Sequence, residues 1–186
     1  MQEKNSSAGG WIKILLLFMF LGSALCALRF FGSEKANMQK TVEAMNYINQ
    51  KMHENFAESG IYPSAEIIST YQVVPQTMKM SAAGEYFWRH FFGGNMMISG
   101  VFDKDLTNPE YNVVMNNLNA RQCRKLAAYD WRKNANFLGL QAYGSGILSS
   151  EVFKMIKKRT RLIPPEEAKK LCSCEYGSYC SIILVY

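Results

Sequence analysis

The stretch ILLLFMFLGSALCAL, residues 14–28, decides how this 186-residue chain is built. Its fifteen residues carry no charge, and Lys13 and Arg29 flank it. As a helix, these fifteen residues would be about 22 Å long. A membrane span usually needs roughly 20 residues, so this stretch alone is somewhat short. Extending the segment to 11–31 gives 21 residues, with Lys13 and Arg29 able to reach the headgroups. The stretch therefore predicts a helix that spans a membrane or bundles with copies of itself.

The N-terminus fits three kinds of export signal. In a secretory signal peptide, the small residues 22–24 would precede the cleavage point and the apolar segment would be removed. A lipoprotein signal ending at Cys26 fits less well, because Leu25 stands where a small residue is wanted. In a prepilin-type leader, cleavage falls between Gly10 and Trp11, so the apolar segment stays on the mature protein. These alternatives predict different N-terminal residues for the mature chain.

Beyond the apolar segment, the sequence keeps a helical rhythm over residues 36–56. Apolar residues recur at steps of three and four, and charged or amide residues occupy the other faces. Ser59 and Gly60 are expected to end this helix, with Pro63 just beyond. These apolar residues form a stripe along one side of the helix, and we expect that side to pack on the following domain. The stripe consists of Met38, Val42, Met45, Ile48, Met52 and Phe56.

The remaining pattern alternates short strands with short helices. Residues 67–74 suit either a helical turn or a strand. Asn119 is expected to cap a helix over 119–134 whose inward residues are Cys123, Leu126, Ala127 and Trp131. Further short helices are predicted over 149–158 and from Pro164, and strands over 95–101, 111–115, 137–142 and 181–186. This order predicts an α+β fold, with a long N-terminal helix packed on an antiparallel sheet.

Four of the five cysteines follow the apolar segment, which contains the fifth, Cys26. An even number beyond an export-type N-terminus points to an oxidising compartment and two disulfides among Cys123, Cys172, Cys174 and Cys180. Three pairings are possible. A zinc site is disfavoured, because Cys-x-Cys is a poor chelating spacing and both histidines lie far upstream. The sequence therefore implies no metal.

The charge pattern gives weak support to one binding function. The formal net charge is +6, and much of the surplus falls within residues 154–161. Such a run can attract nucleic acid, but no aromatic residues interleave with it to stack bases. A solvated basic face is the favoured interpretation, and a membrane-anchored nucleic-acid binder is the weaker one.

Catalytic motifs are absent from the sequence. It has no glycine-rich phosphate loop, no HExxH and no GxSxG. His53 and His90 have no acid or nucleophile pattern beside them and are interpreted as structural. Cys123 is interpreted as a disulfide partner rather than a nucleophile. The sequence offers no positive case for an enzyme or a cofactor.

Together these residues resemble the type IV pilins, and within them the type IVb, PilS-like group. The resemblance covers most of the chain from Gly10 onward, and the order and spacing of its pieces carry it. The matching pieces are the leader ending in Gly10, NYINQKM (46–52), GIYP (60–63), Val74-Pro75, FGGNMMI (92–98), QCRKL (122–126) and AKKLC (168–172), followed by a terminal apolar strand.

The resemblance implies an architecture and a set of partners. It implies a prepilin-type leader (1–10), a hydrophobic assembly helix (11–31), its amphipathic continuation (32–60) and a globular α+β head (61–186). The first helix would lie in the bacterial inner membrane before assembly and in the fibre core afterwards. The implied partners are other pilins, prepilin peptidase and the inner-membrane assembly machinery. The implied disulfides join Cys123 to Cys172 and Cys174 to Cys180.

The implied function is that of a structural subunit of a pilus or pseudopilus, used in adhesion, conjugation or secretion. One departure bears on it. Pilins usually carry a glutamate at the fifth mature position, which here is Leu15, and Lys13 places a charge in a normally apolar stretch. Both weaken the case for a major subunit and leave room for a minor pilin, a divergent pseudopilin or a differently processed relative. The alternative is a secreted or periplasmic disulfide-bonded binding domain with a cleaved signal peptide.

Overall fold

A computed structural model of the chain describes residues 8–101, 110–143, 162–174 and 179–186. Side chains at 8–12, 14 and 21–31 also lie outside the description. The helix predicted over 149–158 and the basic run at 154–161 fall outside these ranges. Two compact units divide the chain, Met1–Asn37 and Met38–Tyr186.

The long helix predicted from the sequence is present as α1, Ala8–Phe56. A short 3-10 turn, Ala57–Ser59, follows it, and Gly60 adopts a left-handed conformation with φ of 67°. Glycine takes this conformation without steric cost, so it ends the helix as the sequence predicts.

The predicted stripe on α1 is confirmed. Its last four members, Met45, Ile48, Met52 and Phe56, are buried, and Met38 and Val42 are partly buried against the same core. They share a single cluster with the inward-facing residues of the sheet, among them Val113, Met115, Ile182 and Leu184. The second half of α1 therefore packs on the sheet through one apolar face.

The sheet has five strands, all paired antiparallel, in the order β1-β2-β3-β5-β4. The last strand in the sequence thus lies between β3 and β4, with neighbours on both sides. Its six residues are all buried, which explains its unbroken apolar character. The strands are β1 Trp88–Arg89, β2 Asn95–Gly100, β3 Tyr111–Leu118, β4 Gly139–Tyr143 and β5 Cys180–Val185.

The strands predicted over 95–101, 111–115, 137–142 and 181–186 are confirmed as β2 to β5, with small shifts of their ends. The ambiguous stretch 67–74 contains only the end of a short helix, α2 Ala65–Ser69, followed by irregular chain. The helix expected from Pro164 is α4, Pro165–Leu171, with proline in its first turn. The fold class is α+β, as predicted.

One helix prediction was too long. Residues 119–134 do not form one helix: α3 covers only Ala120–Ala127, and a separate 3-10 turn covers Trp131–Lys133. Asn119 caps α3 with a full capping box, as the sequence predicts. The helix stops early because Trp131 turns back, and its indole N–H donates to the Leu126 carbonyl at 2.8 Å. Trp131 is buried as predicted, but the 3-10 turn places it in the core, and not a continuation of α3.

A polar contact ties α1 to the sheet within the apolar core. The Tyr111 hydroxyl donates to Asn49 Oδ1 at 2.8 Å, and Asn49 Nδ2 donates to the Ala135 carbonyl. Both side chains are buried, so each would otherwise leave polar atoms without a partner. This contact fixes the position of α1 along β3 more sharply than apolar packing alone.

Candidate functional site: the apolar helix and the paired cysteines

The segment 15–20 of α1 exposes apolar side chains all round. Six consecutive large side chains have exposed fractions between 56% and 79%: Leu15, Leu16, Leu17, Phe18, Met19 and Phe20. Six residues exceed one and a half helical turns, so they point in every direction around the axis. A helix that is apolar on all sides is stable only when something covers it. This part of the chain therefore needs a partner or a lipid phase.

A membrane span is not seen in the described part of the chain, where no helix combines the length and the hydropathy that crossing would require. Gly10 and Trp11, the predicted cleavage pair, both lie within the helical backbone of α1. Leu15, which stands at the position of the family's glutamate, is 58% exposed.

The cysteines form two disulfides. Cys123 of α3 is joined to Cys172, which caps the C-terminus of α4, with 5.7 Å between their Cα atoms. Cys174 is joined to Cys180 at the start of β5, with 5.6 Å between Cα atoms. These are the two pairs that the resemblance implies. The first bond closes a loop with a sequence separation of 49 residues and thereby fixes α3 to α4.

The two bonds lie side by side. The sulfurs of Cys123, Cys172 and Cys180 are all buried and lie within 4.8 Å of one another. Three thiolates at this spacing could hold a soft metal ion. Here each sulfur is already in a disulfide, so the cluster has no thiolate to offer and acts as a covalent staple.

His90 is buried in a structural role, as the sequence suggests. Its Nε2 lies 2.8 Å from the Asn116 carbonyl, and its Nδ1 accepts the Phe92 N–H at 3.2 Å. Burial lowers its pKa, so the neutral ring is favoured. A Cβ at Gly94 would collide with the Asn116 carbonyl and the imidazole, which explains that glycine. Gly93 has a φ of 91°, a conformation that side-chain-bearing residues rarely adopt. His53, in contrast, is exposed on α1.

Three tyrosines form an aromatic group beside β3. The rings of Tyr111 and Tyr186 stack at 5.2 Å between centroids, and Tyr62 lies 4.8 Å from Tyr111. Burial raises the pKa of both Tyr111 and Tyr186 well above the ordinary range, so both remain neutral phenols. These residues stabilise the core, and sequence reasoning missed them together with Asn49. In the sequence, these residues could have been recognised as isolated polar or aromatic residues within an otherwise apolar pattern.

Comparison with solved structures identifies the architecture. The type IVb pilin from Salmonella typhi superposes with a TM-score of 0.55, at 10% identity over 78% of this chain and 97% of that one. TcpA, a type IV pilin from Vibrio cholerae El Tor biotype, superposes with a TM-score of 0.51, at 14% identity over 81% of this chain and 99% of that one. No protein-family model and no curated protein matches the sequence. Identities this low establish fold alone, and on that basis the chain has the type IV pilin fold, as its sequence resemblance predicts.

Proposed function

We propose that this chain is a structural subunit of a type IV pilus, of the IVb kind, or of a related pseudopilus, and that it assembles through its N-terminal apolar helix. The pilin fold supports the pilus role. The observation that carries the assembly role is the ring of exposed apolar side chains at residues 15–20. A soluble domain that functions alone is not expected to expose such a ring of apolar side chains to water.

The apolar helix must be shielded from water by different surroundings before and after assembly. In the inner membrane, lipid covers it, and copies have little drive to associate because lipid tails are as apolar as leucine. In a fibre, neighbouring subunits must cover it instead. Each large side chain fully buried there contributes about 1.5 to 3 kcal/mol relative to water. A fibre held by a core of such helices is therefore stable once subunits have been extracted from the membrane, and extraction falls to the inner-membrane assembly machinery.

Processing follows from the same proposal. Cleavage by prepilin peptidase between Gly10 and Trp11 would leave the apolar segment at the front of the mature chain. The mature protein would then consist of the assembly helix (11–31), its continuation (32–60) and the head (61–186). Leu15 removes the negative charge that the family usually places near the new N-terminus, which favours a minor pilin or pseudopilin role. The fibre would serve adhesion, conjugation or secretion outside the inner membrane.

The disulfides support an exported location for the head. Two bonds between four cysteines form and persist where the environment is oxidising. A pilin head meets that condition both on the outer side of the inner membrane and in the fibre.

The test is to express the full chain in a cell that has prepilin peptidase and a type IV assembly system, and to shear fibres from its surface. Immunogold labelling of the sheared fibres should detect the head along or at the tip of the filaments. The matched control lacks only the peptidase, and should yield no labelled fibre while keeping the protein in the membrane fraction. Recovery as a soluble monomer in both strains would contradict the proposal and favour the secreted binding domain.

A further inference from the structure

A cleft of about 380 Å³ separates α3 from α4 on the surface of the head. Its α3 wall carries Arg121, Arg124 and Lys125, and its α4 wall carries Glu166 and Lys169. Among the described residues of the lining, four cationic groups and one carboxylate give a formal charge of +3. The cleft is therefore a concentrated positive site, distinct from the apolar helix.

The fold holds the two walls rigidly. The Cys123–Cys172 disulfide joins α3 to the end of α4. The capping box at Asn119 fixes the start of α3, and the Nε–H of Arg124 donates to the Ala120 carbonyl at 3.0 Å, which orients the guanidinium along the helix. At the floor, the small Ala168 is buried and lets the helices approach closely. Charged groups held on fixed walls recognise a ligand with little ordering cost.

The chemistry of the lining selects the type of anion. Arginine forks match carboxylate and phosphate groups with two parallel hydrogen bonds, and a sulfate group presents its oxygens in the same tetrahedral arrangement as phosphate. None of the described residues that line the cleft is aromatic, so they offer no platform for stacking unpaired bases. The ionised Glu166 carboxylate can only accept hydrogen bonds, and it would repel a ligand that presents anionic groups alone. A ligand that carries hydroxyl donors next to its anionic groups satisfies both kinds of side chain.

We propose that this cleft binds an acidic polysaccharide, one whose sugar units carry carboxylate or sulfate groups beside free hydroxyls. The cations hold the anionic groups, and Glu166 accepts hydrogen bonds from the hydroxyls. The site lies wholly within the head, so binding does not require the chain to assemble.

The experiment titrates fluorescently labelled heparin oligosaccharide, a sulfated uronate polymer, with the full chain in a non-ionic detergent and follows anisotropy. Arg124→Gln and Lys169→Gln should each raise the Kd about tenfold, the loss expected for one charge-assisted hydrogen bond. Lys79→Gln is the matched control, an exposed lysine outside the cleft, and should leave the Kd unchanged. Equal thermal midpoints for all variants verify that the head is folded.

Glu166→Ala separates recognition from simple charge attraction. Removing a negative charge would tighten the binding of any anion held by electrostatics alone. If Glu166 accepts sugar hydroxyls, the same substitution weakens heparin binding. Tighter binding by Glu166→Ala, an unchanged Kd in Arg124→Gln and Lys169→Gln, or equal affinity for a DNA duplex of matched charge would each overturn the proposal.

Discussion

The two halves of α1 use apolar residues in opposite ways. Between residues 15 and 20 every position is apolar and every side chain is largely exposed. Between Met45 and Phe56 the apolar positions recur at helical spacing, and the same kinds of side chain are buried. In the second half these side chains pack on the sheet, whereas at residues 15–20 they are largely exposed.

This contrast teaches that periodicity, rather than hydrophobicity, marks where a helix finds its partner. A stripe of three or four apolar residues in every two turns fits one surface, here the sheet. A helix that is apolar all round fits a bilayer or a bundle. Changes in the first half should therefore alter assembly without altering the stability of the head, and changes in the second half should do the reverse.

The largest expected effect is on assembly, from Phe18→Asp. A carboxylate inside a bilayer or a bundle of apolar helices costs about 3 kcal/mol in each copy, and a fibre repeats that cost in every subunit. Yield of sheared fibre should fall below detection. The thermal midpoint of the head should stay at the wild-type value, because Phe18 lies outside the unit that contains the sheet. Phe18→Leu is the matched control and should assemble normally.

The next effect is on stability, from replacing Cys123 and Cys172 together by alanine. Opening a loop with a separation of 49 residues should lower the free energy of unfolding by about 4 kcal/mol in the chain-entropy model. Replacing Cys174 and Cys180 opens a loop with a separation of only 6 residues and should cost about 2 kcal/mol. Urea denaturation of both double variants measures the difference. A larger loss for the second pair would contradict this ranking.

Ile48→Ala tests the buried half of α1 directly. Ile48 is fully buried in the core, so truncation should lower the free energy of unfolding by about 3 kcal/mol. Asn46→Ala, an exposed position on the same helix, should change it by less than about 0.5 kcal/mol. Chemical denaturation compares the two. Equal effects would mean that this face of α1 does not pack on the sheet.

The smallest expected effect concerns pH and is confined to the head. Burial lowers the pKa of His90, so the unfolded chain binds a proton that the folded chain resists. Stability should therefore fall as the pH drops below the unfolded value of about 6.5, by at most about 1.4 kcal/mol per pH unit. Thermal midpoints between pH 7.5 and 5 should show this slope in the wild type and a weaker one in His90→Gln. His53→Gln, at an exposed position, is the control and should keep the wild-type slope. If His90→Gln also keeps the wild-type slope, the buried histidine is not the cause of the pH dependence.

Features set by local pattern could be predicted from the sequence. The stripe on α1, the cap at Asn119, the end of the long helix at Gly60 and the closing strand each follow from a few neighbouring residues, and the structure confirms them. The order of helices and strands predicted the α+β class, and the resemblance supplied the fold family. These features depend on propensity and spacing, which a sequence displays openly.

Features set by distant contacts could not be predicted. The helix after Asn119 ends at Ala127 because the Trp131 indole N–H donates a hydrogen bond to the Leu126 carbonyl. The spacing of apolar residues in the sequence does not predict that turn. Asn49 looked like one of the polar residues beside the stripe, yet its partners are Ala135 and Tyr111. The basic cleft was equally hidden, because its two walls are separated in sequence and come together only in the folded chain.

The central claim is that the mature protein keeps its apolar leading helix, so that copies can bundle around it. Intact mass spectrometry of the non-reduced protein, purified from cells that contain prepilin peptidase, tests this most directly. The account predicts a chain that begins at Trp11, retains residues 14–28 and is four hydrogens lighter than its reduced form because of two disulfides. A mature chain that begins near Leu25 or Cys26 would contradict it.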